Sequence, residues 1–444
     1  MQLDESQPST IRQEAFPASA RARRLSRFFW FLETLLWGSL LASCTALLLE
    51  HVIQVSQGPT DFCQDYTAIQ RLLHGDPIYT PIHCWASYVV LPTPLEYHPH
   101  PPTSVLLLAP FGLLPRIPAT LLWGLCLFAA YAITGVLLLK ELGWCSLRGL
   151  AIFAVGSALW EPATVSETVQ NFQELLTLLI VGAWLLERKG HQGWAGGLLG
   201  LAGLLKLWPA GLLLGALIFR QKRAALVGLL TLSLGVLLTF LLISPQDLIA
   251  YLGPVQANEG LWVASGVNVS LVSAVVRPLM GYHDGAYIIP ALLSGLSLST
   301  ALLLGEMLAA LLVIVTVGYL WWRNRSSEDE TIQMLSQGVL VTVLLLAFPI
   351  TWRWGMITLL FPCATTLLAL RHLPRQTRRV QALLWVGLVP LLLRQSWVVA
   401  VANLLQPHSA AGEILWFTLP TLGLLLFTVM QFSLLWQAST QKSA

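Results

Sequence analysis

The chain has 444 residues, 56% of them hydrophobic and only 11% charged, with a net charge of +3 and a mean hydropathy of +0.69. A water-soluble globule of that length needs far more charge to cover its surface, so that class is excluded, and the near-neutral balance leaves no electrostatic footprint for nucleic acid. Apolar runs near 20 residues mark membrane crossings instead, and many of the 18 tryptophans sit near the ends of those runs, where aromatic belts form.

Residues 1–27 are polar and read as a disordered cytoplasmic N-terminus. The Arg21–Arg27 cluster leads straight into an apolar run with no small-residue cleavage site, the pattern of a signal anchor. Twelve spans then follow: Phe28–His51, Pro118–Leu139, Leu147–Trp160, Val165–Glu187, Gly193–Leu205, Pro209–Phe219, Ala224–Ile243, Pro290–Trp321, Thr331–Phe348, Trp354–Leu370, Val380–Asn403 and Glu413–Trp436. The fifth and sixth are short, and their glycines suit a tight, broken hairpin whose helices approach closely. The expected architecture is an all-α polytopic membrane protein with one transmembrane domain over 28–437 and a cytoplasmic tail over 438–444.

Charge orients these spans. All but six of the 25 Lys and Arg residues fall on the side that would carry both termini, which the positive-inside rule makes the cytoplasm. The six are Arg71, Arg116, Lys206, Arg277, Arg353 and Arg394. Counting Thr103–Leu114 as a crossing would put Lys140 and Arg148 outside, so it reads as a juxtamembrane or re-entrant piece. Two long segments then face outward, about 52–118 and 244–289, and a membrane protein whose polar sequence gathers on one face is expected to work there.

The first outer segment holds the candidate chemistry. Asp61 lies just beyond the first span, where a carboxylate can act as general base or simply cap the helix-like run from Phe62 to Leu73. Asp65 follows one turn later, either beside Asp61 as a binding pair or on a solvated helix face. His74, His83, His98 and His100 invite a zinc reading, but their spacing fits no standard site and no metal is assigned. Cys63 and Cys84 share the segment, so a disulfide between them is open. Elsewhere Lys206, Arg277 and Arg353 are cations near the outer surface, suited to binding phosphate or to snorkelling towards headgroups. Gln170, Asn171 and Gln173 open the fourth span, where they either bind sugar hydroxyls or satisfy one another.

Taken in order, these motifs resemble glycosyltransferase family 87. The resemblance is carried by Asp61-Phe62 with Tyr66, by Gly75–Tyr79, and by Tyr97–Pro102 running into Ala109-Pro110. It continues through Gln170–Gln173, Ala195-Gly196 with Lys206 and Pro209, Asn268 with Ser270, and Pro349–Trp352. It implies the GT-C fold and transfer of a sugar, mannose first, from a polyprenyl-phosphate donor to a glycan or glycolipid acceptor, inverting and with neither metal nor other cofactor. It implies Asp61 as catalytic base. The donor phosphate would meet Lys206, Arg277 and Arg353, and the substrates would meet Asp65, Tyr66, Tyr97, His98, Gln170, Asn171, Asn268, Ser270 and Trp352. The expected partners are the lipid-linked donor, the acceptor and membrane lipids, and the expected location is a bacterial cell membrane with the site facing outward. The chain departs from the family where Arg353-Trp354-Gly355 stands in place of a His-rich step and Val169-Gln170 in place of Gly-Gln. The rivals are a polyprenyl-phosphate-pentose donor, a transporter or flippase, and a non-catalytic envelope scaffold.

Overall fold

The computed structural model describes residues 20–56, 58, 60–82, 84, 98–255, 262–280, 282–284, 287–289, 291, 296–325, 329–372 and 410–440. The span expected at 380–403, with Arg394, and the site candidates Tyr97 and His83 lie outside the described residues.

Among these residues seven helices are long and apolar enough to cross a bilayer, or eight if one sharply bent pair counts as a span. They include α1 (Ala20–Val55), α4 (Arg116–Glu141) and α10 (Lys222–Leu242). They continue with α13 (Leu298–Asn324), α14 (Glu330–Ala347), a 3-10 turn leading into α15 (Leu360–His372), and α16 (Ala410–Thr440). Among the described residues, helix length alone therefore accounts for fewer than the twelve expected crossings. The reason is rise: α5 (Leu147–Leu159) and α8 (Gln192–Leu205) have 13 and 14 residues, about 20 Å each against a hydrocarbon core of about 30 Å. The Pro209–Phe219 run splits into a 3-10 turn and the short α9 (Leu212–Ile218).

Burial separates the helices into layers. Helices α14 and α15 are mostly covered by protein, whereas α1, α10 and α13 turn most of their surface outward. The outward residues of α10, such as Leu230, Leu234 and Leu241, are apolar, which suits a lipid-facing surface. On α8, a side chain at Gly196 would run into the Ala224 carbonyl of α10 at 2.0 Å. Glycine there lets the backbones of α8 and α10 touch, a partner other than the Pro209–Phe219 run expected to form the hairpin.

Two features position the site. The first is an amphipathic helix outside the spans, α2 (Asp61–His74), which buries Phe62, Asp65, Ala68 and Ile69. It ends where Gly75 turns to φ 76°, its N–H reaching back to the last-turn carbonyls. Beside it lies α3 (Pro102–Leu108) with a 3-10 turn over Ala109–Leu113, the short piece expected at 103–114. The second is the break between α6 (Glu161–Val169) and α7 (Gln173–Arg188), which bends by 115°. The sequence reads Val165–Glu187 as one span. Gln170 adopts the left-handed conformation at φ 56°, uncommon for a non-glycine residue, and ends α6 there. The stretch after α10 holds α11 (Pro245–Ala250), α12 (Leu271–Met280) and a two-stranded hairpin, β1 (Tyr282–Asp284) with β2 (Tyr287–Ile289). Asp247 of α11 accepts hydrogen bonds from the Ile78 and Tyr79 amides at 2.7 and 3.4 Å, joining this stretch to the one after α2.

Candidate active site

An aromatic knot brings α2 to the α6–α7 break. Phe62 stacks on Trp123 of α4, with centroids 5.7 Å apart, and Trp123 packs edge-on against Phe172 at 5.6 Å. The Trp123 indole N–H donates to the Gln170 carbonyl at 3.0 Å, holding the left-handed residue in place. The consequence is one contact between side chains 110 residues apart: Asn171 Nδ2 donates to Asp61 Oδ2 at 2.7 Å. The Asn171 Oδ1 in turn accepts from the Phe172 amide at 2.8 Å, which fixes the orientation of the donor. Asp61 is the first residue of α2, after Thr60 in the cap position. Both the helix N-terminus and Asn171 favour negative charge on its half-buried carboxylate.

The break also gathers polar atoms that the sequence reading only partly anticipates. Gln170, Gln173, Glu167 and Glu174 are all buried. Both side-chain polar atoms of Gln170, Oε1 of Gln173 and all four carboxylate oxygens of Glu167 and Glu174 have no hydrogen-bond partner among the described residues. Ser166 lies near Glu174 without meeting hydrogen-bond geometry. Such groups call for hydrogen-bond partners, which water or the hydroxyls of a ligand, able both to donate and to accept, can supply. Glu167 and Glu174 were not singled out from sequence; acidic residues inside an apolar run are the signal that marks them.

One turn along α2, Asp65 is buried and meets two imidazoles. His100 Nδ1 lies 2.8 Å and His98 Nδ1 3.6 Å from Asp65 Oδ1. Burial raises the Asp65 carboxyl to about 6, against the lowering pull of His98 and Lys206. Burial likewise pushes His98 down to about 3, despite Asp65, and pushes His100 well down. Both imidazoles are therefore neutral at pH 7. The solvated-face reading of Asp65 does not hold, because its residue is 1% exposed. His74 sits apart on the exposed end of α2, against the Gln70 carbonyl.

The three candidate cations have different surroundings. Half-buried Lys206 ends α8, and its charge acts on Asp65, His100 and Glu174. Arg353 pairs with Glu161 at 2.8 Å, at the start of α6, and Gly355 two residues on packs against Gln173. Arg277 is fully buried and donates to the Asn268 carbonyl at 2.7 Å and to Ser273 Oγ at 3.0 Å. It braces the backbone rather than facing a surface.

Asn268 and Ser270 are likewise engaged. The Asn268 amide donates to the Val263 and Pro349 carbonyls and accepts from the Ser270 and Thr351 amides. The Ser270 hydroxyl donates to Pro349 O. These bonds staple the residues that enter α12 to the 349–352 stretch and leave the Asn268 amide no capacity for a ligand. Trp352 stacks on Trp354 at 5.2 Å and meets Trp262 edge-on at 6.2 Å. Tyr66 donates to the Leu114 carbonyl at 2.8 Å, tying α2 to the turn after α3. Cys63 and Cys84 form a disulfide.

The molecule is thus a multi-spanning helical protein in which a half-buried carboxylate, its amide partner and several buried polar groups meet at a broken helix. The chain belongs to glycosyltransferase family 87, whose sequence profile matches residues 97–349. It is 30% identical over 200 residues to an α-(1→3)-arabinofuranosyltransferase of Mycobacterium tuberculosis, covering 44% of this chain and 43% of that protein. It is 30% identical over 198 residues to the Corynebacterium glutamicum protein of the same name, covering 42% and 44%. The match thus spans less than half the length of either relative. The family match begins after Asp61 and ends before Trp352, so the grouping of Asp61 with the break rests on geometry.

Proposed function

We propose that the protein transfers a sugar from a polyprenyl-phosphate donor to an acceptor hydroxyl, with Asp61 as general base. The observation that carries this reading is the Asn171–Asp61 hydrogen bond of 2.7 Å at the edge of the α6–α7 break. It orients a half-buried carboxylate next to unsatisfied polar groups that sugar hydroxyls would complete. In the proposed step the acceptor hydroxyl gives its proton to Asp61 while its oxygen bonds to the anomeric carbon. The anomeric carbon–phosphate oxygen bond breaks on the opposite face, with inversion, and polyprenyl phosphate departs with the electron pair. Lys206 would offset the charge growing on the leaving phosphate. Gln170, Glu167 and Glu174 would hold the sugar hydroxyls. Arg353, paired with Glu161, is the second candidate for the phosphate.

The sugar is proposed to be a pentose, arabinofuranose first. The relatives' names favour this alternative over mannose. The site is proposed to face the non-cytoplasmic side of a bacterial cell membrane with both termini in the cytoplasm. The distribution of basic residues supports that orientation, and so does the disulfide, a bond of oxidising compartments.

The test is transfer by the purified full chain, given polyprenyl-phosphate arabinofuranose and polyprenyl-phosphate mannose in parallel, with an oligosaccharide acceptor. Transfer from the pentose donor is expected. Transfer from mannose alone would overturn the sugar assignment, and turnover of neither donor would overturn the reaction.

A further inference from the structure

We propose that Asp65, His98 and His100 form a binding site for one divalent transition-metal ion, zinc by the chemistry of its ligands, which clamps the helix carrying Asp61.

The ligand atoms of the three residues all lie within 4.8 Å of one another. Two ligands of a tetrahedral zinc, each about 2.0–2.2 Å from the metal, sit roughly 3.3–3.6 Å apart. The observed Asp65–His98 and Asp65–His100 distances of 3.6 and 2.8 Å bracket that spacing, so small rotations of the imidazoles suffice. The donor set is one carboxylate and two imidazoles, the composition that suits zinc with a fourth position left for water.

The second observation is independent of spacing. His98 is 0% exposed, and neither of its ring nitrogens has a hydrogen-bond partner among the described residues; nor does Asp65 Oδ2. A neutral imidazole buried with both nitrogens idle leaves two polar groups desolvated and unpaired, which is costly. An ion would use one imidazole nitrogen and the carboxylate together.

The surroundings fix the ligands without competing for them. The Tyr79 hydroxyl holds the His100 carbonyl at 2.8 Å and its ring packs against His98. Arg71 is spent on the Thr80 and Pro81 carbonyls. Lys206 brings positive charge towards the group, so affinity would come from direct ligation rather than from a negative field. The ion would bridge α2 to the segment entering α3, one helical turn from Asp61. Its role is positional: Asp61 and Lys206 retain the chemistry.

The experiment uses the full chain, purified in detergent with a tag free of histidine, stripped with chelator and re-equilibrated with ZnCl2. Bound zinc is measured by elemental mass spectrometry. About one zinc per chain is expected, falling to background in His98→Ala and His100→Ala, and retained in Asp61→Asn and His74→Ala. In the wild-type chain, which needs no folded variant, chelator should lower Tm and ZnCl2 should restore it. Cobalt loading should give the intense visible bands of a tetrahedral site. Zinc that persists in the His98→Ala/His100→Ala double variant overturns the proposal, as does wild-type protein with neither zinc nor a cobalt spectrum. Because binding is read on Asp61→Asn as well, failure of the metal site is distinguishable from failure of the transferase reading.

Discussion

Asp61→Asn separates the base from everything else the residue does. The substitution keeps size and shape, and its amide oxygen can still accept from Asn171 Nδ2, the contact now at 2.7 Å. What is lost in the folded protein is the charge assistance of that bond, the difference between roughly 1.5–3 kcal/mol and 0.5–1.5 kcal/mol. Asp61 is only half-buried, so solvent screening brings the cost to about 1 kcal/mol or less, a Tm change of no more than about 2–4 °C. The amide cannot take a proton from the acceptor. General-base catalysis contributes about a hundredfold to ten-thousandfold, or roughly 2.7–5.5 kcal/mol of barrier. Single-turnover transfer from polyprenyl-phosphate arabinofuranose, measured at matched amounts of monodisperse protein, should therefore fall by at least about a hundredfold while Tm stays close to wild type. Transfer within about threefold of wild type would refute the assignment of the base.

Lys206→Met should lower kcat by about a hundredfold to a thousandfold, the usual loss of one charge-stabilising group, with Lys206→Arg recovering part of it; an unchanged kcat would remove Lys206 from the leaving-group side. Cys63→Ser or Cys84→Ser opens a loop with a sequence separation of 21 and should destabilise the chain by about 3 kcal/mol. Reductant should lower the wild-type Tm correspondingly and leave the Cys63→Ser variant unmoved. Stability in chelator should fall as pH drops from 6.5 towards 4. Over that window His98, held down to about 3 by burial, gains its proton on unfolding, and His100, also pushed well down, shifts in the same direction, while Asp65, held up to about 6, gains one already in the folded chain. With the two imidazoles acting together against one carboxyl, the unfolded state binds more protons and stability falls on acidification. A Tm that rises steadily on acidification would contradict the burial of the two histidines.

Hydropathy carries the long helices because a bilayer demands about 20 apolar residues in a row, and α1, α4, α10, α13 and α14 are legible that way. It does not carry the α6–α7 bend. Val165–Glu187 is apolar on average, and the bend depends on one left-handed residue, Gln170, held by a tryptophan on another helix. Asp61 was visible as a carboxylate just past a span, but its partner Asn171 lies 110 residues away. Local spacing of histidines does not reveal the Asp65–His100 pair, because a carboxylate 35 residues upstream completes it. Arg277 looked like a phosphate ligand because a cation near a membrane surface is costly. In the fold it is fully buried, and two of its hydrogen bonds go to a serine hydroxyl and a backbone carbonyl that sequence alone does not reveal.

The chain commits almost every turn of α2 to holding that helix still. Phe62 is stacked in the aromatic knot, Cys63 is bonded to Cys84, Asp65 meets His100, and Tyr66 and Gln70 donate to the carbonyls of Leu114 and Gly112. Arg71 reaches three further carbonyls, and Gly75 closes the end. These ties come from several separate segments, so no single one fixes the helix. Their common effect is felt at Asp61, the first residue of the helix and half-open to solvent. A displacement of about 1 Å at a reacting group can cost a hundredfold in rate. With Asp61 as the proposed base, residues 62–75 would bear on catalysis through position, and their substitutions should lower kcat in proportion to how far they free the start of α2, while Asp61→Asn acts with the helix unmoved.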